Sequence, residues 1–245
     1  MGRLIVRQLA MQKDMKLVAA IDAPNIAQEG QDAGEVAGVC KLDVGIVGGD
    51  KLVQVLKSSK PDVLIDFTTP SASVQNVKAA AQAGIAVVVG TTGLSKQQMM
   101  EIEETVKKEK IRAVVSPNFS VGVNVFFKSA QHTAKLLGKD YVAEIEEVHH
   151  VHKKDTPSGT ALRAAQIIAG ELGLRKEEIK IKSVREGEVV GTHTVTFSTP
   201  YEEIEVTHRA KSREVFAAGA VKAARYAVTK GKPGVIQEMQ DVLGL

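Results

Sequence analysis

The sequence predicts an α/β fold in which a doubly wound parallel sheet is followed by a second, sheet-based α+β domain. Short apolar runs at 17–21, 63–67, 85–89 and 113–115 recur between residues 1 and 118 with longer, helix-like stretches between the later ones, the pattern of buried parallel strands and crossover helices. Each run ends in small, polar or turn-forming residues. Past residue 119 the spacing changes to strands of period two, which marks a different sheet.

In order, 17–21 (LVAAI) reads as a strand ending at Asp22, and 63–67 (VLIDF) as one ending at Thr68-Thr69-Pro70. The stretch 73–83 is helix-like, and 85–89 (IAVVV) is a strand closed by Gly90-Thr91-Thr92-Gly93. The stretch 95–108 opens on a serine and carries acids early and lysines late, a polarity that suits a helix dipole. The run 113–115 ends at Ser116-Pro117-Asn118-Phe119. In a doubly wound sheet ligands sit at the carboxyl ends of the strands, so these four ends are candidate binding positions.

Further on, 141–148, 191–197 and 203–208 read as strands, the last with Ile204, Val206 and His208 on one face. A helix-like segment at 158–172 separates the first two. The tail 215–245 is Ala-rich and helical, and is expected to return to the first domain.

Composition narrows the class. With 245 residues, 44% hydrophobic and 25% charged, the chain is a soluble globular protein of one large or two smaller domains. A net charge of +3, dispersed basic residues, no tryptophan and 4% aromatics argue against a nucleic-acid groove. The apolar runs stop well short of the roughly 20 residues a membrane span needs. One cysteine, Cys40, and an N-terminus without a secretory pattern point to the reducing cytoplasm. A small-molecule partner is expected.

The densest ionisable group is Glu146-Glu147-Val148-His149-His150-Val151-His152-Lys153-Lys154-Asp155, followed by Thr156-Pro157-Ser158-Gly159-Thr160. Imidazole beside an ammonium can protonate or hold a developing anion. The Ser-Gly-Thr that follows opens a helix, whose unpaired N–H groups favour a carboxylate, with Gly159 allowing close approach and the Ser158 and Thr160 hydroxyls donating. Arg185 is a further candidate carboxylate clamp.

Plainer readings stand beside these. Pro157-Ser158-Gly159-Thr160 alone is a common helix start, and a His-rich stretch after a strand is equally a solvated turn. Zinc is the weaker reading of the histidines, because Cys40 is distant and adjacent strand residues point to opposite faces; no metal is expected. Gly90-Thr91-Thr92-Gly93 by itself reads as a strand-to-helix turn. Asp22 is either a turn former or, in a dinucleotide-binding sheet, the acid that accepts from the adenosine ribose.

Taken together, Glu146-Glu147-Val148-His149-His150, Lys153, Asp155 and Pro157-Ser158-Gly159-Thr160-Ala161 resemble the signature of the dihydrodipicolinate reductases, also called 4-hydroxy-tetrahydrodipicolinate reductases. Asp66-Phe67-Thr68, Gly90-Thr91-Thr92-Gly93, the stretch 117–124, Arg185-Glu186-Gly187 and Gly191-Thr192-His193 are similar to family motifs in the family's order, through nearly the whole chain.

The resemblance implies a Rossmann-like cofactor domain at 1–118 and 216–245, and a substrate-binding and oligomerisation domain with a mixed, open sheet at 119–215. It implies NADPH or NADH as hydride donor to a hydroxylated tetrahydrodipicolinate, a small dicarboxylate, with water lost, in lysine and diaminopimelate biosynthesis. His149 and Lys153 match proton-donating positions; His150, Lys153, Ser158, Gly159 and Thr160 match substrate-binding ones. Gly90, Thr91, Thr92, Ser116, Asn118 and Phe119 match the nicotinamide end, and Asp22 the ribose contact. A homotetramer is implied as well.

Family members open with a strand and a glycine-rich loop ending Gly-Arg-Met-Gly-Arg, whereas this chain starts at Met1-Gly2-Arg3. The first strand is therefore expected to be missing, leaving its two neighbours with unpaired backbone beside an apolar gap. A non-catalytic pseudoenzyme or binding subunit lacking a complete cofactor loop is the alternative on this ground, and a metal-dependent hydrolase a further one.

Overall fold

A computed structural model describes all residues, 1–245. The chain forms two compact units, Met1–Phe119 with Phe216–Gly244, and Ser120–Val215.

The first unit runs α1 (Gly2–Ala10), β1 (Ala20–Asp22), α2 (Ala33–Ala37), β2 (Ile46–Gly48), α3 (Leu52–Ser59), β3 (Val63–Asp66), α4 (Pro70–Gln82), β4 (Ala86–Val89), α5 (Lys96–Glu109) and β5 (Ala113–Val115). Four strands pair in parallel in the order β10-β5-β4-β3, where β10 (Ile236–Gln237) comes from the end of the chain. The period-two alternation divides this sheet between two cores. Val87, Val89, Ala113 and Val115 face α3, α4 and α5 through Leu56, Val77, Ile102 and Val106. Ala86, Val88 and Val114 face α8 (Glu214–Thr229) and α9 (Met239–Leu243) through Ala220, Ala223, Ala227 and Met239. Coverage on both sides is why 85–89 is apolar at every position.

The first predicted run becomes a strand only at Ala20–Asp22, and pairs only with β2, which the sequence reading missed. The parallel sheet is thus in two pieces. A cavity of about 600 Å³ opens on residues from both β1 and β3, among them Ala20, Ile21, Val63, Leu64 and Ile65.

Local signals account for several boundaries. Ser95 caps α5, its hydroxyl accepting from Gln98 N while the Gln98 side chain accepts from Ser95 N, a reciprocal box. The first turn of α5 carries no acid, so the cap rather than early acids fixes this end, while Lys107 and Lys108 do close it. The tail is helical only through Thr229, then forms β10 and α9.

The second unit runs α6 (Val121–Leu137), β6 (Val142–His149), α7 (Gly159–Leu172), β7 (Lys180–Arg185), β8 (Gly191–Ser198) and β9 (Glu203–Ala210). Its sheet is mixed and open, in the order β7-β6-β8-β9, with β6 parallel to β7 and antiparallel to β8. The helices α6 and α7 cover one face: Phe126, Phe127, Ala165 and Ile168 pack on Ala143, Ile145, Val195 and Phe197. Ile204, Val206 and His208 share one face of β9, in register with Phe197, Val195 and His193. Ile204 stays 40% exposed on this edge strand. The helix α6 and strand β7 were not anticipated from the sequence.

Candidate active site

Alternation along β6 puts Ala143, Ile145, Glu147 and His149 on the helix-covered face and Val142, Glu144 and Glu146 on the other. Two ionisable groups thereby enter a buried position at the carboxyl end of the strand. Strand register extends the polar stripe across the sheet, since Ser183 of β7, Glu147 of β6, His193 of β8 and His208 of β9 are successive partners.

Glu147 is fully buried, and its Oε2 lies 2.6 Å from His149 Nδ1. Its Oε1 accepts from Arg185 Nη1 at 3.1 Å and from Ser158 N at 3.3 Å. Burial alone would raise this carboxyl, but contacts from Ser183 and Ser158 and the charges of His149 and Arg185 outweigh it, and the pKa falls below the usual value. For His149 burial prevails and the pKa is lowered, with Glu147 opposing and Lys153 and Arg185 adding to the fall. The resting pair is therefore a carboxylate and a neutral imidazole. Two bare lone pairs repel at 2.6 Å, so this contact favours the Nδ1–H form of the imidazole over the Nε2–H form.

Ser158 is the N-cap of α7, its Oγ accepting from Ala161 N at 3.2 Å and meeting His193 Nε2 at 3.2 Å. Burial drives His193 down to about 3, so it is neutral. A Cβ placed on Gly159 meets nothing within 4 Å, which leaves the helix mouth open to a ligand. Lys153, between β6 and α7, holds Asp155 through Nζ at 2.8 Å to each carboxylate oxygen. Asp155 is well exposed, whereas the Lys153 side chain is largely covered.

His149, Lys153, Ser158 and Gly159 are thus gathered around one strand end and one helix mouth. His150 faces elsewhere, as expected of successive strand residues: its Nε2 lies 3.5 Å from Arg213 Nη2 and its ring 6.1 Å from that of His152. Arg185, a candidate carboxylate clamp in the sequence, is engaged with its own unit. Nε donates to Lys153 O, Nη1 to Glu147 and Val184 O, and Nη2 to Asp155 O and Thr156 Oγ1, which occupies the guanidinium fork.

In the first unit, Asp22 ends β1 with an exposed carboxylate that accepts from Ala23 N at 2.7 Å. Thr92 is exposed, whereas Thr91 is buried and donates to Asp66 Oδ1 at 2.9 Å. The Thr91 hydroxyl thereby anchors its loop, as the buried Asp66 also accepts from Thr68 N, Thr68 Oγ1 and Asn76 Nδ2. Gly90 lies under the Phe67 ring, 2.2 Å from where its Cβ would be. Ser116 Oγ donates to Asn118 O at 3.1 Å. Phe119 is 2% exposed and packs its ring on Phe67 in the core, so its side chain is corrected from a ligand contact to a core member. Glu147 and Arg213 were missed. An acid two residues before His149 on an otherwise buried strand face was the available signal for Glu147.

The chain thus joins a parallel sheet with small, polar strand ends to an open mixed sheet that carries His149 and Lys153 beside the start of α7. The family described as "Dihydrodipicolinate reductase, N-terminus" matches residues 1–119, and its C-terminal counterpart matches 122–243. The chain belongs to the dihydrodipicolinate reductase family. It is 47% identical over 260 residues to the 4-hydroxy-tetrahydrodipicolinate reductase of Methanocaldococcus jannaschii, covering 100% of this chain and 94% of that one. To the enzyme of the same name from Methanosarcina barkeri it is 50% identical over 257 residues, covering 100% and 95%. A dipicolinate-bound dihydrodipicolinate reductase from a Paenisporosarcina species shares the fold, with a TM-score of 0.80 and 24% identity over 98% of this chain and 94% of that one.

Proposed function

We propose that the chain reduces 4-hydroxy-tetrahydrodipicolinate with NADPH or NADH, giving tetrahydrodipicolinate and water in lysine and diaminopimelate biosynthesis. The observation that carries this reading is the buried Glu147–His149 pair beside Lys153 and the N-terminus of α7, on the motif of a family whose members bear that name. Dipicolinate, which the Paenisporosarcina protein is described as binding, is a planar dianion of the kind this arrangement suits.

The nicotinamide cofactor supplies the hydride when bound. The exposed Asp22 carboxylate at the end of β1 and the exposed Thr92 beyond β4 suit the hydroxyl-rich, polar nucleotide, and Gly90, Ser116 and Asn118 line neighbouring strand ends. In the second unit one substrate carboxylate takes the amides of Gly159 and Thr160 and the caps of α7. Lys153 leaves Asp155 for the anion, and Arg213, beside His150, offers a second cation. Binding a dianion raises the affinity of His149 for a proton, and with Lys153 it supplies the proton to the ring nitrogen as charge arrives there. Asp22 is followed by Ala23 instead of a base, which favours use of NADH alongside NADPH.

The domain roles follow: residues 1–118 and 216–245 hold the cofactor, and 119–215 the substrate. We infer a homotetramer formed through the second unit's open sheet face, where Val142 stands 60% exposed, and a cytoplasmic location suited to the free Cys40. No helix is long and apolar enough to cross a membrane. The test is substrate-dependent oxidation of NADPH and NADH by the purified chain, with light scattering for assembly. Absence of substrate-dependent oxidation with either cofactor overturns the assignment.

A further inference from the structure

Both oxygens of the Glu147 carboxylate are directed at parts of the site rather than at the scaffold. Oε2 meets the Nδ1 edge of His149, and Oε1 holds the backbone N–H of Ser158, the residue that caps α7. Arg185 stands behind it, sharing Oε1 and sending its other donors to Lys153 O, Asp155 O and Thr156 Oγ1. One buried ion pair therefore ties together the imidazole, the helix mouth and the segment that carries the ammonium.

We propose that Glu147 and Arg185 are positioning residues of this site: Glu147 fixes the Nδ1–H tautomer of His149, so that Nε2 is the atom that exchanges a proton, and Arg185 fastens the Lys153 segment to the same carboxylate. The proposal rests on the reductase reading given above and adds to it two residues that touch neither substrate nor cofactor.

Three arguments support it. First, a neutral imidazole has one N–H, and a carboxylate oxygen 2.6 Å from Nδ1 favours that nitrogen over Nε2 as the place of the proton. The same tautomer logic governs the acid behind the histidine of hydrolytic triads. Second, a buried ion pair is weak support for a fold, because desolvation of both charges offsets their attraction; a purely structural role would be served as well by apolar residues at positions whose strand neighbours, Ile145 and Ala143, are apolar. Third, removing the carboxylate would leave Arg185, Ser158 N and His149 Nδ1 to find other partners together, so its effects on the imidazole and on the loop are coupled. The charged and titratable groups around His149 are Glu147 on its own strand, Arg185 from β7, His193 from β8, and Lys153 and Asp155 from the following segment.

The test uses the full-length protein and the variants Glu147→Gln, Arg185→Lys and His149→Gln, with Glu147→Gln also placed in the His149→Gln background. Nitrogen-15 spectroscopy of the histidine side chains reads the tautomer, calorimetry reads binding of dipicolinate and NADH, and steady-state rates read kcat across pH. The wild type is expected to show His149 as the Nδ1–H form. Glu147→Gln should keep dipicolinate affinity within a few-fold, lose about 100-fold in kcat, the scale of one general acid, and move the alkaline limb of the kcat profile, where the imidazolium gives up its proton, to lower pH, because the charge that raises the imidazole is gone. In the His149→Gln background the same change should cost little more. Arg185→Lys should raise KM for the dicarboxylate more than it lowers kcat. A wild-type His149 found in the Nε2–H form overturns the proposal even where Glu147→Gln fails to fold. So does a Glu147→Gln enzyme with unchanged kcat and pH profile, or one that loses equally in both backgrounds. A wild type without turnover that still shows the Nδ1–H form overturns the reductase reading instead.

Discussion

Gly191 and His149 are in contact such that a methyl group on the glycine would lie 3.0 Å from His149 Nε2 and 3.3 Å from its Cδ2. Gly191 opens β8 and pairs with Ala210 in regular strand geometry. Alanine there meets no backbone strain, so any effect of Gly191→Ala passes through the imidazole. The ring has little room to retreat, being flanked edge-on by His193 at 5.0 Å. Gly191→Ala is expected to lower kcat roughly 10-fold, as displacement of a reacting group by a few tenths of an ångström does, with the melting temperature nearly unchanged. A wild-type kcat in this variant would show that the ring adjusts freely.

Lys153→Ala and His149→Gln act on the second unit only. Both are expected to slow turnover by about 100-fold or more and to leave calorimetric affinity for NADH and NADPH within two-fold, as the cofactor-contact candidates Asp22, Gly90 and Thr92 belong to the other unit. Lys153→Ala should also weaken dipicolinate binding, since the ammonium that leaves Asp155 is lost. Equal loss of cofactor and substrate affinity would make these residues structural.

Asp66 holds the loops after two neighbouring strands with one carboxylate: Thr68 beyond β3 and Thr91 beyond β4 both donate to Oδ1, and Asn76 of α4 to Oδ2 at 2.7 Å. Asp66→Ala leaves four buried or half-buried donors to find other partners, which is expected to destabilise the protein by about 2–4 kcal/mol in denaturant titrations. The same loops carry Thr92, so affinity for NADH should fall while dipicolinate affinity holds. A variant that melts like the wild type and binds NADH as tightly would show that the threonine loops need no anchor.

What the sequence made legible divides along a physical line. Strands β4 and β5 were readable because both faces are buried, so apolar residues run without interruption, and α5 because Ser95 and Gln98 announce its cap. Strand β1 shortened to three residues because one of its edges faces the cavity shared with β3 and gains no ladder. The cluster around His149 was legible as a group of residue types, and its roles were not. Whether Arg185 points at a ligand or back at Glu147 depends on the parallel register of β6 with β7, which sets His149 opposite Arg185 and Glu147 opposite Ser183. That pairing joins segments more than thirty residues apart, and no local period encodes it. The inward direction of the Thr91 and Phe119 side chains was hidden for a related reason: a turn sequence shows which residues are at a strand end, but not which of them face inward.

His193 gives the protein a predictable sensitivity to acid. Burial lowers its pKa from 6.5 to about 3, with the charges of His149, His208 and Lys153 acting in the same direction and Glu147 against it. The unfolded chain binds a proton at this position near pH 6.5, and the folded chain does not until about pH 3. Between those values the unfolded state holds more protons, so stability rises with pH. The contribution is therefore complete above pH 6.5 and is lost as the pH falls, at up to about 1.4 kcal/mol per unit, until the folded form also protonates. Glu147, whose pKa is lowered, acts in the same sense below its ordinary value. Denaturant titrations of the wild type from pH 7.5 to pH 5 should accordingly show a steady decline. His193→Asn removes the titrating group while keeping a polar side chain near Ser158, and is expected to flatten that decline over the same interval, whatever its effect on stability at pH 7.5. Parallel slopes for the two proteins would place the acid sensitivity in other groups and show that the folded chain admits a proton at His193 well above pH 3.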